Sequence, residues 1–251
     1  MTGSTSQTSS SVKIAVFDLD WTLLEEISAE TLWVLFCIKH RIVPGKLILI
    51  SILRLFLFLP FGINRAILKN RYYLKGLKRK TAIQLMDMFY EDMLKSNLSA
   101  ELLIRMKKLK SSGYRIFLLS ATLDFILEYL VDKLDADAGI SSVLEINGEE
   151  YTGHIIGVYP YYHGKVRCLE KMCSDLSVDF ENSFAFGDTW ADLPLLSKFG
   201  HPVAVHPDRI LRTVARKNQW EIVTRYVRRK SWPVRYWLNW IYRPACRINT
   251  N

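Results

Sequence analysis

The chain has 251 residues, which is long enough for one large domain, or for a core with an insertion, around a buried hydrophobic core. Hydrophobic residues make up 49% of it and charged residues 24%, as in ordinary globular proteins, and the net charge of +9 favours an anionic partner such as nucleic acid, acidic lipid or a phosphorylated substrate. The four cysteines have no metal-ligand spacing, which argues against a cysteine metal site and predicts free thiols in a reducing compartment such as the cytoplasm.

The first predicted strand is followed directly by two aspartates. Residues 1–11 are polar and lack the features of a signal peptide, so they are predicted to be a disordered tail. The apolar run at residues 12–17 is typical of a buried strand in a parallel sheet, and Asp18 and Asp20 follow it, where such sheets bind ligands. Their carboxylates repel each other, and a bound divalent cation is the simplest compensation. The alternative is a capped strand end followed by a turn.

Residues 29–98 are dominated by apolar and basic residues with few strand signals, which predicts an all-helical insertion. Its centre, residues 47–63, is apolar almost all round, is interrupted by Arg54 and Pro60, and is shorter than the roughly 20 residues of a spanning helix. Three interpretations stay open: a buried helix of a cap, a membrane-dipping hairpin with basic flanks, or a true span. The flanking basic residues are Lys39, Arg41, Lys46, Arg65, Lys69 and Arg71.

From Ser99 onward, helices and strands alternate. A helix is predicted to begin after Ser99 and to end at Gly113, and Asn147-Gly148 marks the turn of a hairpin. The other predicted elements are strands at residues 114–119, 184–186 and 203–205, and helices at residues 123–134 and 165–173.

The segment from Arg209 to Arg247 is strongly basic and aromatic. It holds eleven Lys and Arg residues against one acid, Glu221, with Trp and Tyr side chains between them. This composition suits the interface of an anionic bilayer. Nucleic acid would also accept it but is the less favoured partner, and a solvated basic helix with some core aromatics is the third interpretation.

Polar side chains follow several of the predicted strands, and a parallel sheet would bring them to one edge. They are Asp18, Asp20, Ser120, Lys165, Asp188 and Asp192. Carboxylates, a hydroxyl and a lysine around a cation are what phosphoryl transfer requires, because its transition state needs charge neutralisation and in-line groups.

The motifs that carry these residues resemble the haloacid dehalogenase superfamily of phosphatases, in its phosphoserine-phosphatase-like branch, subfamily IB. FDLDWTLL matches the first motif, LLSAT the second, Lys165 the third and GDTWADLPLL the fourth, and the resemblance covers residues 12 to about 205. It implies an α/β fold, in which a Rossmann-like parallel sheet flanked by helices is built from residues 12–28 and 99–223. A helical cap at residues 29–98 would cover the site, and residues 224–251 would form a separate basic aromatic segment. Trp21 departs from the family pattern, which often has Gly there.

The resemblance also implies a role for each residue. Asp18 attacks phosphorus to form an aspartyl-phosphate, and Asp20 serves as acid and then as base. Mg²⁺ is held by Asp18, the backbone carbonyl of Asp20, and Asp188, while Asp192 orients Lys165 or a metal-bound water. Ser120, Ala121 and Lys165 bind the phosphoryl group, which makes Lys165 both catalytic and substrate-binding.

The substrate is less well defined by the sequence. In phosphoserine phosphatases of this family, a glutamate binds the ammonium group of the substrate, and the family pattern places it at Ile27, with Glu26 one position away. The charged cap motif of those enzymes has no clear match in this insertion. The apolar, basic-flanked cap is instead similar to membrane-associated members that act on lipid headgroup phosphates such as phosphatidylglycerophosphate, at the cytoplasmic face of the membrane. The alternatives are a phosphatase or phosphotransferase for small soluble phosphomonoesters and a non-catalytic, membrane-tethered binding protein.

Overall fold

A computed structural model describes residues 11–58 and 70–224 of the chain. Three predicted segments lie partly outside these ranges. They are residues 1–10 of the predicted disordered tail (1–11), residues 59–63 of the apolar stretch (47–63) and residues 225–251 of the predicted basic aromatic segment (224–251).

The described residues form one sheet of seven strands in the order β4-β3-β2-β1-β5-β6-β7. Neighbouring strands are parallel except for the hairpin between β3 and β4. The predicted α/β fold with a largely parallel sheet is therefore confirmed. The strands are β1 (Ile14–Phe17), β2 (Arg115–Leu123), β3 (Ala138–Asn147), β4 (Glu150–Ile156), β5 (Phe184–Gly187), β6 (His201–Val205) and β7 (Glu221–Val223).

Helices cover both faces of this sheet, and those between β1 and β2 form an all-helical insertion. The helices of the insertion are α1 (Ala29–Lys39), α2 (Gly45–Phe58), α3 (Arg79–Gln84) and α4 (Met86–Phe89), with short turns at Tyr72–Leu74, Tyr90–Leu94 and Lys95–Asn97. The helices that follow it are α5 (Ala100–Ser111), α6 (Asp124–Lys133), α7 (His163–Met172), α8 (Leu193–Leu196) and α9 (Arg209–Lys217).

Strand β1 lies at the centre of the sheet and is buried on both faces. Ala15 and Phe17 point into a hydrophobic cluster that includes residues of the helical insertion, whereas Ile14 and Val16 point into the cluster on the opposite face. This is why its sequence is apolar at every position instead of alternating. On the insertion side, Phe17 stacks on Phe186 of β5 with ring centroids 4.1 Å apart.

Strand β2 differs from its prediction. It continues through Ser120, Ala121 and Thr122, and its register with β3 shifts between Leu119 and Leu123. An irregularity of this kind re-aims side chains next to functional sites, and it places Ser120 within the strand rather than after it. The following helix begins at Asp124 because the strand extends that far.

The first part of the segment from Arg209 to Arg247 belongs to the fold. Helix α9 buries Leu211 and Ala215 in the cluster beneath the sheet, and β7 pairs with β6. Residues 209–223 thus pack their apolar side chains on the core, within the bounds 99–223 that were predicted for it.

The apolar helix α2 is not a buried cap helix, so that interpretation of it is wrong. Large apolar side chains along it are between 37% and 68% exposed: Leu49, Ile50, Ile52, Leu53, Phe56 and Leu57. Within residues 11–58 and 70–224, no helix is both long and apolar enough to cross a bilayer.

Candidate active site

The carboxyl end of β1 delivers Asp18 to the interior of the protein. Its backbone N–H donates to the carbonyl of Phe186 at 3.0 Å, which continues the pairing of β1 with β5 one residue past the strand. Its side chain is buried, with Oδ1 2.6 Å from Nζ of Lys165 and Oδ2 3.4 Å from the hydroxyl of Thr22. Burial raises the pKa of Asp18 despite the opposing attraction of Lys165.

Lys165 lies in the first turn of α7 and is buried against two carboxylates. Its Nζ is 2.6 Å from Oδ1 of Asp18 and 2.6 Å from Oδ1 of Asp192. Burial alone would lower the pKa of Lys165, but the two carboxylates outweigh burial and raise it. The preceding Gly164 lets the chain approach closely here, since a Cβ on it would lie 2.0 Å from the carbonyl oxygen of Tyr159.

The loop after β5 is organised by Asp192. Its Oδ2 accepts hydrogen bonds from the backbone N–H groups of Asp188 and Thr189, at 3.1 and 3.0 Å, while its Oδ1 accepts from Lys165. A Cβ on Gly187 would lie 2.7 Å from Cβ and Cγ of Asp192, so the glycine is needed for this approach. Asp192 thus holds both Lys165 and the backbone of Asp188 by hydrogen bonds.

Asp18, Asp188 and Asp192 form a buried cluster of carboxylates that could hold a metal ion. One oxygen of each lies within 4.8 Å of the others. Carboxylate oxygens are the ligands that Mg²⁺ prefers, and like charges this close need a cation, so the residues present fit the predicted ion. Lys165 offsets part of this charge by bridging Asp18 and Asp192.

The side chain of Asp20 contacts both the sheet, at Ser120, and the helical insertion, at Ala29. Its Oδ1 accepts a hydrogen bond from the backbone N–H of Ala29, at 2.7 Å, and its Oδ2 lies 3.4 Å from the hydroxyl of Ser120. Burial raises the pKa of Asp20 to about 6, with the Ala29 N–H opposing that rise and Glu30 adding to it. Ala121, the neighbour of Ser120, accepts a hydrogen bond from Ser142 through its carbonyl.

Two residues of the first motif gain an explanation from the structure. Trp21 has a φ of 64°, in the left-handed region that glycine adopts without strain, which accounts for the family preference for Gly at this position. Thr22 is fully buried and contacts Asp18, although it was not predicted as a site residue. Its position within the motif, four residues after Asp18, is the signal that could have identified it.

Charged residues of the insertion were also missed. Glu30 and Arg71 form an ion pair in which Nε of Arg71 lies 2.6 Å from Oε1 of Glu30, and the hydroxyl of Tyr73 lies 3.1 Å from the same oxygen. By contrast, Glu26 is exposed and Ile27 packs on the core, so neither occupies this place. The sequence gives no signal for the pair, because its partners are 41 positions apart and share no motif.

Aromatic side chains lie next to the carboxylate cluster. Tyr161 and Trp190 contact each other edge-on with ring centroids 6.2 Å apart, and Tyr162 packs on Trp190 at 5.2 Å. Burial raises the pKa of Tyr161, and the nearby Asp192 carboxylate adds to the rise. Aromatic rings therefore line the site on this side.

The same stretch of chain that carries this geometry matches a known family. The family model for haloacid dehalogenase-like hydrolases matches residues 15–197, which include all the predicted site residues. The chain belongs to this family. The predicted membership of the haloacid dehalogenase superfamily and the expected α/β fold are confirmed.

Curated relatives of this hydrolase include phosphatases. The phosphoserine phosphatase SerB1 of Mycobacterium tuberculosis is 27% identical over 120 residues, which are 48% of this chain and 39% of that protein. The inhibition of morphological differentiation protein of Streptomyces azureus is 24% identical over 215 residues, 83% of this chain and 77% of that protein. The chain spans about two fifths of the length of SerB1, so the likeness concerns the shared region.

Solved structures share the fold of this hydrolase. A Bordetella pertussis protein of unknown function superimposes with a TM-score of 0.74 and 21% identity, covering 85% of this chain and 99% of that one. An apo phosphoserine phosphatase superimposes with a TM-score of 0.56 and 21% identity, covering 84% and 92%. At these identities the likeness establishes the fold alone.

Proposed function

We propose that the chain is a Mg²⁺-dependent phosphomonoester phosphatase that works through an aspartyl-phosphate on Asp18 and acts on a small phosphorylated metabolite. The observation that carries this proposal is the convergence of Asp18, Lys165, Asp188 and Asp192, from three separate segments, into one buried cluster. The family membership and the phosphatases among the relatives support the same reaction class.

Asp18 is positioned to be the nucleophile. Lys165 holds one of its carboxylate oxygens, while the other faces Thr22 at a distance of 3.4 Å, which is longer than a strong hydrogen bond. Attack of this carboxylate on phosphorus would break the bond to the leaving oxygen and place the phosphoryl group on Asp18. Ser120, Ala121 and Lys165 would hold the phosphoryl oxygens at the end of the sheet, where Lys165 also neutralises their charge.

Asp20 is suited to move protons in both steps. Its pKa of about 6 allows the carboxyl group to be protonated when it meets the leaving oxygen and ionised when it activates water. The same residue would then serve as acid in the first step and as base in the second. Asp18 and Asp188, together with the Asp20 carbonyl, would hold Mg²⁺, which when bound withdraws negative charge from the phosphoryl group.

The proposed substrate class is supported by the comparisons rather than by the cap. Phosphoserine phosphatases recur among the relatives, including one of Archaeoglobus fulgidus that is 26% identical over 154 residues, 61% of this chain and 43% of that protein. These relatives favour a small soluble phosphomonoester over the lipid headgroup phosphate suggested by the sequence.

The test is phosphate release from a panel of metabolite and lipid phosphates with Mg²⁺, run beside Asp18→Asn. We expect turnover of small phosphomonoesters by the native chain, phosphate trapped on Asp18 during turnover, and no turnover by the variant. Adding acceptor alcohols separates hydrolysis from phosphotransfer, since transfer yields a new phosphate ester. Turnover that survives in Asp18→Asn would overturn the proposal.

A lipid headgroup phosphate is a second candidate, favoured by the exposed apolar side chains of α2. This helix contains Lys46 and Arg54 but no acid, so an anionic bilayer surface at the cytoplasmic face would accept both its apolar and its basic residues. Two of the predicted basic flanks do not serve this purpose: Arg71 is buried against Glu30, and Lys39 pairs with Asp92.

Flotation with vesicles that contain phosphatidylglycerol, compared with vesicles of phosphatidylcholine alone, tests this second candidate. We expect binding to the anionic vesicles and turnover of a lipid phosphate presented in them. The double variant Ile52→Glu, Phe56→Glu should abolish both and leave the turnover of soluble substrates intact. Full activity on soluble phosphates with neither binding nor lipid turnover would exclude it.

A further inference from the structure

The proposed acid and base, Asp20, is held by the helical insertion and not only by the sheet. Its Oδ1 accepts the backbone N–H of Ala29 at 2.7 Å, and Ala29 is the first residue of α1. N–H groups in the first turn of a helix have no partner within the helix, so they readily bind a carboxylate. The direction of the Asp20 carboxylate therefore depends on where α1 begins.

Ser28 caps α1 by accepting from the N–H of Thr31, and the second residue of the helix, Glu30, links its first turn to the rest of the insertion. The Glu30 carboxylate lies 2.6 Å from Nε of Arg71 and 3.1 Å from the hydroxyl of Tyr73. Both residues belong to the second described segment of the insertion, residues 70–98. The Arg71 side chain is 9% exposed and that of Glu30 is 22% exposed, so the pair is largely screened from solvent.

The second segment is attached to the sheet at the same residue. The backbone N–H of Arg71 donates to the carbonyl of Gly153 in β4 at 3.1 Å. Gly153 has a φ of 85°, and a Cβ on it would lie 2.9 Å from the Arg71 carbonyl oxygen, so only glycine allows this contact. Arg71 thus connects the edge hairpin of the sheet to the first turn of α1.

We infer that Glu30 and Arg71 are positioning residues: their ion pair links α1 to the sheet and thereby aims the Asp20 carboxylate through the N–H of Ala29. The inference rests on the proposed function, since it gives Asp20 the role of acid and base. The pair is internally neutral, with the Arg71 charge matched by Glu30, which suits a structural link better than the recognition of a charged substrate.

A leaving-group comparison tests the inference, because only a poor leaving group needs a proton from Asp20. With Glu30→Ala we expect kcat/KM to fall about 10- to 100-fold for a simple alkyl phosphate, as when general acid catalysis is impaired by misplacement. For p-nitrophenyl phosphate, whose phenolate leaves without a proton, kcat/KM should be nearly unchanged. That substrate should instead give a burst of nitrophenol, since hydrolysis of the phosphorylated Asp18 still needs Asp20 as base.

Two further variants and a control make the test specific. Glu30→Gln keeps an oxygen for Tyr73 and Arg71 and should restore part of the loss. Arg71→Met should match Glu30→Ala, and the double variant should cost little more, since all three break the same link. Asp92→Asn removes the partner of Lys39 at the other end of α1 and should behave as the native chain.

Other outcomes would overturn the inference. An equal loss on the alkyl and aryl phosphates would show a general structural role, with circular dichroism reporting whether the variant is folded. A loss confined to phosphoserine, with both uncharged leaving groups unaffected, would show that the pair reads the substrate. Native protein that turns over neither substrate in an Asp18-dependent way would contradict the proposed function itself, which is a distinct result.

Discussion

The carboxyl edge of the sheet and the helical insertion contrast in how their charges are placed. At the sheet edge, Asp18, Lys165, Asp188 and Asp192 are almost fully buried and contact one another directly. In the insertion, the largely buried ion pair Glu30–Arg71 lies near Asp20, while α2 exposes a row of large apolar side chains. Under the proposed function, the sheet edge would supply the chemistry, whereas the insertion would position one of its groups and offer a surface.

The largest expected effect comes from removing the ammonium group of Lys165, which is the positive charge buried at the carboxyl edge of the sheet. Lys165→Met leaves two carboxylates buried without their lysine, which should lower the free energy of unfolding by about 3–5 kcal/mol. Chemical denaturation of the Mg²⁺-free protein measures this. The exposed pair of Lys198 with Glu170 is the matched control, and Lys198→Met should cost less than about 1 kcal/mol. Equal costs for the two variants would contradict the contrast between a buried site and an exposed surface.

The next effect concerns the metal. Asp188→Asn removes a charge from the carboxylate cluster, so the Mg²⁺ concentration for half-maximal activity should rise by about 10- to 100-fold or more. A titration of phosphate release against Mg²⁺ checks this, with chelation abolishing the activity of the native chain. An Asp188→Asn variant with an unchanged Mg²⁺ requirement would show that the ion is not held by this residue.

A smaller effect links Asp20 to pH. The pKa of Asp20 is raised to about 6 from 3.8, so the folded state binds its proton more tightly than the unfolded state. Its contribution to stability is therefore complete below about pH 4 and is lost as the pH rises through 6, by up to about 3 kcal/mol for a shift of this size. The free energy of unfolding of Mg²⁺-free protein, measured at pH 4.5 and pH 7.5, should fall less in Asp20→Asn than in the native chain. An equal fall in both would refute the raised pKa of Asp20.

The smallest effect is expected on the exposed face of the insertion. Phe56→Ser should change the free energy of unfolding by no more than about 0.5 kcal/mol, because the Phe56 side chain is 61% exposed. The buried Phe36 on α1 is the matched control, and Phe36→Ala should cost about 3–5 kcal/mol. Thermal unfolding of both variants gives the comparison, and a large loss in Phe56→Ser would mean that α2 is covered in the folded protein.

The central strand and the polar residues that follow it could be predicted from the sequence because the relevant signals are local. An apolar run followed by Asp18 and Asp20, and the glycine before Asp188, predict strand ends from a few neighbouring residues. The order of these segments along the chain then fixes which edge of a parallel sheet they share. The assembly of Asp18, Lys165, Asp188 and Asp192 was foreseeable for that reason.

Only the tertiary structure decided how the insertion meets this edge. The N–H of Ala29 donates to Asp20, Glu30 pairs with Arg71, and the N–H of Arg71 donates to Gly153. Each of these contacts joins segments that share no sequence pattern. The exposure of α2 could not be predicted from the sequence either, because an apolar helix has the same sequence whether or not a neighbouring element covers it. Sequence periodicity specifies which residues form an element, but the burial of that element depends on what the rest of the chain packs against it.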